Sequence, residues 1–202
     1  MESIAKQVKN RIVKWGKGKI FFHSDFADFS DNESVRKAIT RLCDEGFIKR
    51  YGRGIFYYPK TDKYFGLGQI EASNIEIAQA YAKSKGLRLY QTELASQNLL
   101  GLTTQNQINT IYLTNGSSKK INTGIGNGIT FIHTSDSNLT QYKSDIMLLI
   151  NIALDGYANH VLQEKDKIIL SGNLSNVKPE HFNNDIKLMK IWKRAIIYSC
   201  RN

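Results

Sequence analysis

The chain has 202 residues, of which 41% are hydrophobic, and a formal net charge of +10. That length suits one ordinary domain or two small ones, and no run of about 18 apolar residues is present, which excludes a membrane-spanning helix. The first twenty residues alternate charge and apolarity where a signal peptide needs an unbroken apolar stretch, so the chain is expected to be soluble and cytoplasmic, with no membrane partner.

Helical spacing of Ile4, Val8, Ile12 and Trp15 predicts an amphipathic helix over 3–15, stopped by Gly16 and Gly18. Ile20-Phe21-Phe22 is a short apolar piece, after which Ser24 is expected to cap a brief helix, Asp25–Phe29. Ser30-Asp31-Asn32-Glu33 has the S-x-x-E pattern of a capping box and announces a helix that runs to about Glu45 and ends at Gly46. The period then changes to that of strands. Phe47–Tyr51 and Ile55–Tyr58 flank Gly52-Arg53-Gly54, which is hairpin turn chemistry, and Pro59 closes the unit. Helix, short helix, capped helix and hairpin is the order of a winged helix-turn-helix.

Residues 61–73 read as a linker or an edge segment. Beyond them come a helix over Ile75–Lys85, a strand over Leu87–Tyr90, a helix over Thr92–Leu100 and a strand over Thr110–Thr114. Lys119–Thr123 and Ile129–His133 read as further strands. Ser144–Leu154 reads as a buried helix, and helices follow Gly156, the last at Asp185–Ile197. The expected class is α/β (α+β): a winged helix-turn-helix at 1–60, a linker at 61–73 and a mixed α/β effector domain at 74–202.

Charge follows this division. Residues 1–60 carry 13 Lys and Arg against 7 Asp and Glu, over half of the excess. A concentrated positive field attracts a phosphate backbone, although a solvated basic surface without a partner would carry the same charge. On the helix after Asp31, Val35, Ala38, Ile39 and Leu42 share one face at about 100° per residue. Lys37 and Thr40, flanked by Arg36 and Arg41, occupy the other. Ser34 sits near the helix N-terminus, the end that enters the major groove in this motif. Lysine and arginine there reach phosphates or guanine edges, and threonine reaches phosphate or a thymine methyl. The hairpin carries Lys49 and Arg50, with Arg53 at its tip, where an arginine can enter a minor groove. Tyr51, Tyr57 and Tyr58 either pack on its base or donate to phosphate. A winged unit can also dock proteins; a basic outward helix joined to an arginine tip favours duplex DNA.

Signals of catalysis are missing from the pattern. His23, His133, His160 and His181 have no metal-ligand spacing, so no metal is expected. His23-Ser24-Asp25 has the residue types of a triad, but adjacent side chains cannot form one. Gly124-Ile125-Gly126-Asn127-Gly128 lacks the lysine and Ser/Thr of a phosphate loop and reads as a turn between strands. Cys43 and Cys200 are expected to be unpaired packing residues. The expectation is a protein with no catalytic residues and no cofactor.

The stretch Ser34–Tyr58, with Ala38, Arg41 and Leu42 on its helix, Gly46 ending that helix, and the hairpin Gly52-Arg53-Gly54-Ile55-Phe56-Tyr57, resembles the N-terminal domain of AbiEi-type antitoxins of type IV toxin–antitoxin systems. Leu94–Leu102 followed by Ile111–Gly116 is similar to the segment joining that domain to the antitoxin domain. Residues 135–202 match less clearly. The resemblance implies a repressor of its own operon that counteracts a nucleotidyltransferase-like toxin. It implies helix contacts from Arg36, Lys37, Thr40 and Arg41 and hairpin contacts from Arg50 and Arg53. The partners expected are duplex DNA at the protein's own operator and a cognate toxin. A homodimer on DNA would hold a repeat far more tightly than one winged domain holds its short site. Two other readings stand beside this one: a stand-alone winged-helix transcription factor with a ligand- or protein-binding second domain, and a nucleic-acid-processing enzyme addressed by its winged domain.

Overall fold

The computed structural model describes residues 2–62, 66, 68–157, 159 and 161–201. It is a mixed α/β protein that divides into two compact units, one of residues 1–87 with 120–130 and the other of 88–119 with 131–202. The division therefore falls elsewhere than at 60 and 74. No helix among the described residues is long and apolar enough to cross a membrane.

In the first unit, α1 (Ile4–Trp15) starts at Ser3, whose hydroxyl accepts from the Lys6 N–H. β1 (Ile20–Phe22) follows. The brief helix expected over 25–29 is instead a 3₁₀ turn over His23–Phe26, and Ser24 does not cap it: the Asp25 carboxylate accepts from the Phe22 N–H at 2.9 Å. α2 spans Asn32–Asp44, and here too the cap differs from expectation. Asp31, not Ser30, is the N-cap, its carboxylate accepting from the Glu33 and Ser34 N–H groups at 2.9 and 3.0 Å. At α2 the cap satisfies two of the orphan N–H groups of the first turn, whereas no side chain caps the turn over His23–Phe26.

β2 (Lys49–Gly52) and β3 (Ile55–Tyr57) form the hairpin, and β1 pairs antiparallel with β3, so the strand order is β1-β3-β2. The register places Phe21 opposite Phe56 and breaks in a bulge between Arg50 and Gly52. Between this sheet and the helices lies a core of Val8, Ile12, Phe21, Phe26, Val35, Ala38, Ile39, Leu42, Ile48 and Phe56. Phe21 and Phe26 are fully buried with their ring centroids 6.0 Å apart, and Trp15 lies within 5.4 Å of both. Burying two aromatic rings here, with Trp15 partly covered against them, is a large apolar gain for a small unit.

Part of the expected linker pairs with itself: β4 (Lys60–Thr61) and β5 (Gln69–Ile70) are antiparallel, and residues 63–65 and 67 lie outside the described residues. α3 (Asn74–Lys85) begins with a capping box between Ser73 and Glu76, ends at left-handed Gly86, and packs on β1, with Phe22 and Tyr81 rings 6.3 Å apart. The last part of the unit is the turn between β8 (Lys119–Ile121) and β9 (Ile129–His133).

The second unit places β6 (Leu89–Tyr90) antiparallel to β7 (Thr110–Thr114). α4 (Glu93–Leu99) is capped by Thr92 and lies against α5 (Asp145–Asp155). α6 (Glu164–Ser175), α7 (Pro179–Asp185) and α8 (Ile191–Arg201) complete it around Met147, Ile150, Leu154, Leu170, Phe182 and Ile197. The final helix is not continuous from Asp185 as expected. A 3₁₀ turn over Ile186–Leu188 ends at extended Met189, and α8 starts only at Ile191. The fully buried Asp185 carboxylate accepts from the Lys143 and Ser144 N–H groups. Those bonds hold it at the end of α7 instead of the start of a new helix.

Candidate nucleic-acid interface

α2 separates its residues by burial as a 3.6-residue period requires. Val35, Ala38, Ile39 and Leu42 are buried, whereas Arg36, Lys37, Thr40 and Arg41 are exposed. Lys37 pairs with Glu33 and Arg41 with Glu45, each at 2.8 Å one turn away, and more than three-quarters of each cationic side chain stays in solvent. Exposed pairs of this kind contribute little and are screened by salt, so both cations can exchange their carboxylate for another anion. Arg36 and Thr40 have no side-chain partner among the described residues. A groove of about 390 Å³ between the start of α1 and α2 is lined by Ser3, Ser34, Lys37 and Arg41.

Ser34 is placed differently from its neighbours. Its hydroxyl donates to Asp31 at 2.6 Å, inside the cap. The Asp31 carboxyl is held below the ordinary carboxylate range, chiefly by that bond and by the Ser34 N–H.

On the hairpin, Arg53 is exposed at the tip, before Gly54, whose φ of +76° is left-handed and suits glycine. Arg50 is exposed over the Phe56 ring, 5.3 Å from its centroid. Lys49 is only half-exposed: its ammonium binds the Glu71 carboxylate, and the Tyr51 hydroxyl donates to the other oxygen of the same group. Tyr51 in turn accepts from the Ala72 N–H at 2.9 Å. The Lys49 and Tyr51 bonds hold the Glu71 carboxyl below its usual range, while burial and Glu71 push the Tyr51 phenol up. Lys49 and Tyr51 thus fasten the hairpin to the segment before α3. Tyr57 is buried beside Tyr51, and Tyr58 packs on Phe47 with centroids 4.9 Å apart, so all three tyrosines build the hairpin base.

Not every cation of the N-terminal excess faces outward. Arg11 forms a two-pronged pair with Asp28, at 2.5 and 2.7 Å, and stacks over Phe29 at 4.4 Å. Sequence patterning did not single out this clamp, or Glu71, because both join positions 17 or more residues apart.

The second unit holds a charged cluster of another kind. Lys193 is 1% exposed, and its ammonium donates to the Asn151 carbonyl, to Asn151 Oδ1 and to Asp155 Oδ2 at 2.6, 3.0 and 2.7 Å. Burial pulls its pKa down and Asp155 pulls it up, the former being the larger effect. The cluster borders a cavity of about 530 Å³ that also has Glu93, His133, Asp136 and Lys190 in its wall.

His133 Nδ1 lies 2.8 Å from the Gly116 carbonyl and His181 lies 3.7 Å from Glu180. His160 lies outside the described residues. No group of three or more His, Cys, Asp and Glu that could hold a metal occurs among the described residues. Cys43 and Cys200 are free thiols, both pushed up by burial.

Residues 7–181 match DUF6088, a family of unknown function. The chain belongs to that family. The match takes in α2, the hairpin and the segment to α3, together with most of the second unit, so the family's common region includes the whole basic surface described above. No curated protein matches the chain.

Proposed function

We propose that residues 1–60 are a winged helix-turn-helix that binds duplex DNA, and that the protein regulates transcription of its own operon. The observation that carries this reading is the separation of faces on α2: Val35, Ala38, Ile39 and Leu42 anchor it, Arg36, Lys37, Thr40 and Arg41 are exposed to solvent, and the hairpin that follows in the chain carries an exposed Arg53 at its tip. A helix with such a face can enter the major groove while an arginine-tipped hairpin reaches the adjacent minor groove. Arg36, Thr40 and Arg53 are free to contact DNA as they stand. Lys37, Arg41 and Arg50 contact it by exchanging weak surface partners. Ser34 and Lys49 support the interface from behind, through Asp31 and Glu71.

The second part of the proposal is an antitoxin role against a nucleotidyltransferase-like toxin, supported by the resemblance of residues 34–58, 94–102 and 111–116 to AbiEi-type antitoxins. Paired copies on a repeated operator fit the short footprint of a single winged domain.

Titrating the full chain against a duplex from upstream of its own gene, at several salt concentrations, tests the first part. Tight binding that falls steeply with salt, and is abolished by replacing Arg36, Lys37 and Arg41 together with alanine, is the expected result. Binding that survives the triple replacement overturns it. Co-expression with the neighbouring open reading frame tests the second: growth rescue is expected and should persist in the triple variant, whereas absence of rescue by the wild-type chain removes the antitoxin role.

A further inference from the structure

We propose that Lys120 and the glycine-rich turn after it form a phosphodiester-binding pocket beside the hairpin tip, so that the protein holds the DNA backbone at a third place besides α2 and Arg53. This rests on the DNA-binding reading above and extends its contact surface to a segment distant in sequence.

Residues 120–130 belong to the first unit, and the hairpin touches them directly. A Cβ added to Gly52, the residue before Arg53, would lie 3.4 Å from the Asn122 carbonyl oxygen and 3.5 Å from the Ile121 side chain. Strand alternation does the rest: Ile121 is buried, so Lys120 and Asn122 share the opposite, exposed face. With Gly126 and Asn127 they line an open cavity of about 510 Å³.

That cavity suits a phosphate. The Lys120 ammonium has no acceptor among the described residues, and the lining contains no carboxylate. Asn122 Oδ1 accepts from the Gly124 N–H at 3.0 Å, and the NH₂ of this exposed amide is a second donor. The contrast is the cavity of the second unit, where Glu93, Asp136 and Asp155 share the wall with Lys190 and Lys193.

The turn is also held in shape before any ligand arrives. The Asn74 amide at the start of α3 donates to the Ile125 and Gly128 carbonyls, and its oxygen accepts from the Thr123 hydroxyl at 2.6 Å. Gly128, at φ +71°, leaves no room for a side chain: a Cβ there would lie 2.3 Å from the Ile121 carbonyl oxygen. Fixing the loop from α3 reduces the ordering cost of binding.

Lys120→Ala in the full chain is titrated against the upstream duplex and a random-sequence duplex over a salt series, beside Arg36→Ala and Lys165→Ala, an exposed lysine of the second unit. Loss of one phosphate contact lowers the slope of log K against log salt by about 0.9 and weakens both duplexes alike. Lys165→Ala should change neither. Thermal melts of Lys120→Ala should superimpose on wild type, since the side chain is exposed. An unchanged slope in Lys120→Ala, with Arg36→Ala impaired, overturns this site and leaves the regulator reading intact. A wild-type chain without salt-dependent affinity overturns both. Loss of binding to a free mononucleotide in Lys120→Ala, with duplex binding unaffected, overturns the duplex contact in favour of a small phosphate-bearing ligand.

Discussion

The two units handle positive charge in opposite ways. On α2 of the first unit, Lys37 and Arg41 remain mostly in solvent and are held only by carboxylates one turn away. On α8 of the second unit, Lys193 is withdrawn from water and each of its three donors is matched by an acceptor. The first arrangement costs little to undo and so leaves charge available to a partner. The second commits its charge to the fold, because a desolvated ammonium must keep its acceptors. A formal charge of +10 therefore overstates what a nucleic acid would meet, and the position of each cation matters more than the total.

The largest expected break of this contrast is Lys193→Met. Methionine fills the space of the aliphatic stem but donates nothing, leaving the Asn151 oxygens and Asp155 without their ammonium. A loss of about 3 kcal/mol is expected, at the lower end for a broken buried pair because Asp155 keeps some solvent, and chemical denaturation measures it. Lys37→Met, by comparison, should leave the unfolding midpoint almost unchanged. Equal effects would mean that the two cations are not held differently.

Next in size is Gly128→Ala, which puts a side chain against the Ile121 carbonyl in a left-handed backbone conformation. A cost of about 1–3 kcal/mol is expected for strain of this type, read again by denaturation. Gly126→Ala, where a Cβ would meet open space, should cost less, and the difference between the two sharpens the view of the turn as a tightly closed support.

On the basic face, the DNA-binding reading gives Arg36→Ala and Lys37→Ala separable effects. Arg36→Ala should weaken binding to the upstream duplex by about 1–3 kcal/mol and relax preference at one base position, as loss of a base contact does. Lys37→Ala should weaken all sequences alike and lower the salt slope by about 0.9. Anisotropy titrations on a set of singly altered duplexes separate these outcomes.

The smallest effect concerns the clamp behind the hairpin. The Glu71 carboxyl lies below its ordinary value of 4.5 because Lys49 and Tyr51 bind its charged form. A carboxylate lowered in the folded state stabilises the protein fully above its unfolded value, and that contribution is lost as pH falls through the folded one. Melting followed from pH 6 to pH 3 should therefore decline less steeply for Glu71→Gln than for wild type, with the two curves converging in acid. Parallel curves would remove Glu71 from the clamp.

Much of the first unit was legible in the residues themselves. The helical faces of α1 and α2, the turn chemistry of Gly52-Arg53-Gly54 and the exposure of Arg36, Lys37, Thr40, Arg41 and Arg53 all follow from local periodicity and from glycine's tolerance of left-handed backbone. The misplaced caps show where such reading ends. Ser24 and Ser30 are good capping residues, yet Asp31 caps α2 and no side chain caps the turn over His23–Phe26.

The sequence by itself determined the mixed α/β class, the helices α1 and α2 with the hairpin after them, and the basic face of α2, because those depend on residues within a few positions of one another. Only the tertiary structure decided that Lys49 is tied to Glu71, that Lys193 is buried among its acceptors, and that residues 120–130 lie against the hairpin. Each of these joins groups about 20 or more positions apart in the chain. Nothing in a local pattern distinguishes a lysine that will find such a partner from one that stays in water, since the difference is made by which surfaces the core brings together.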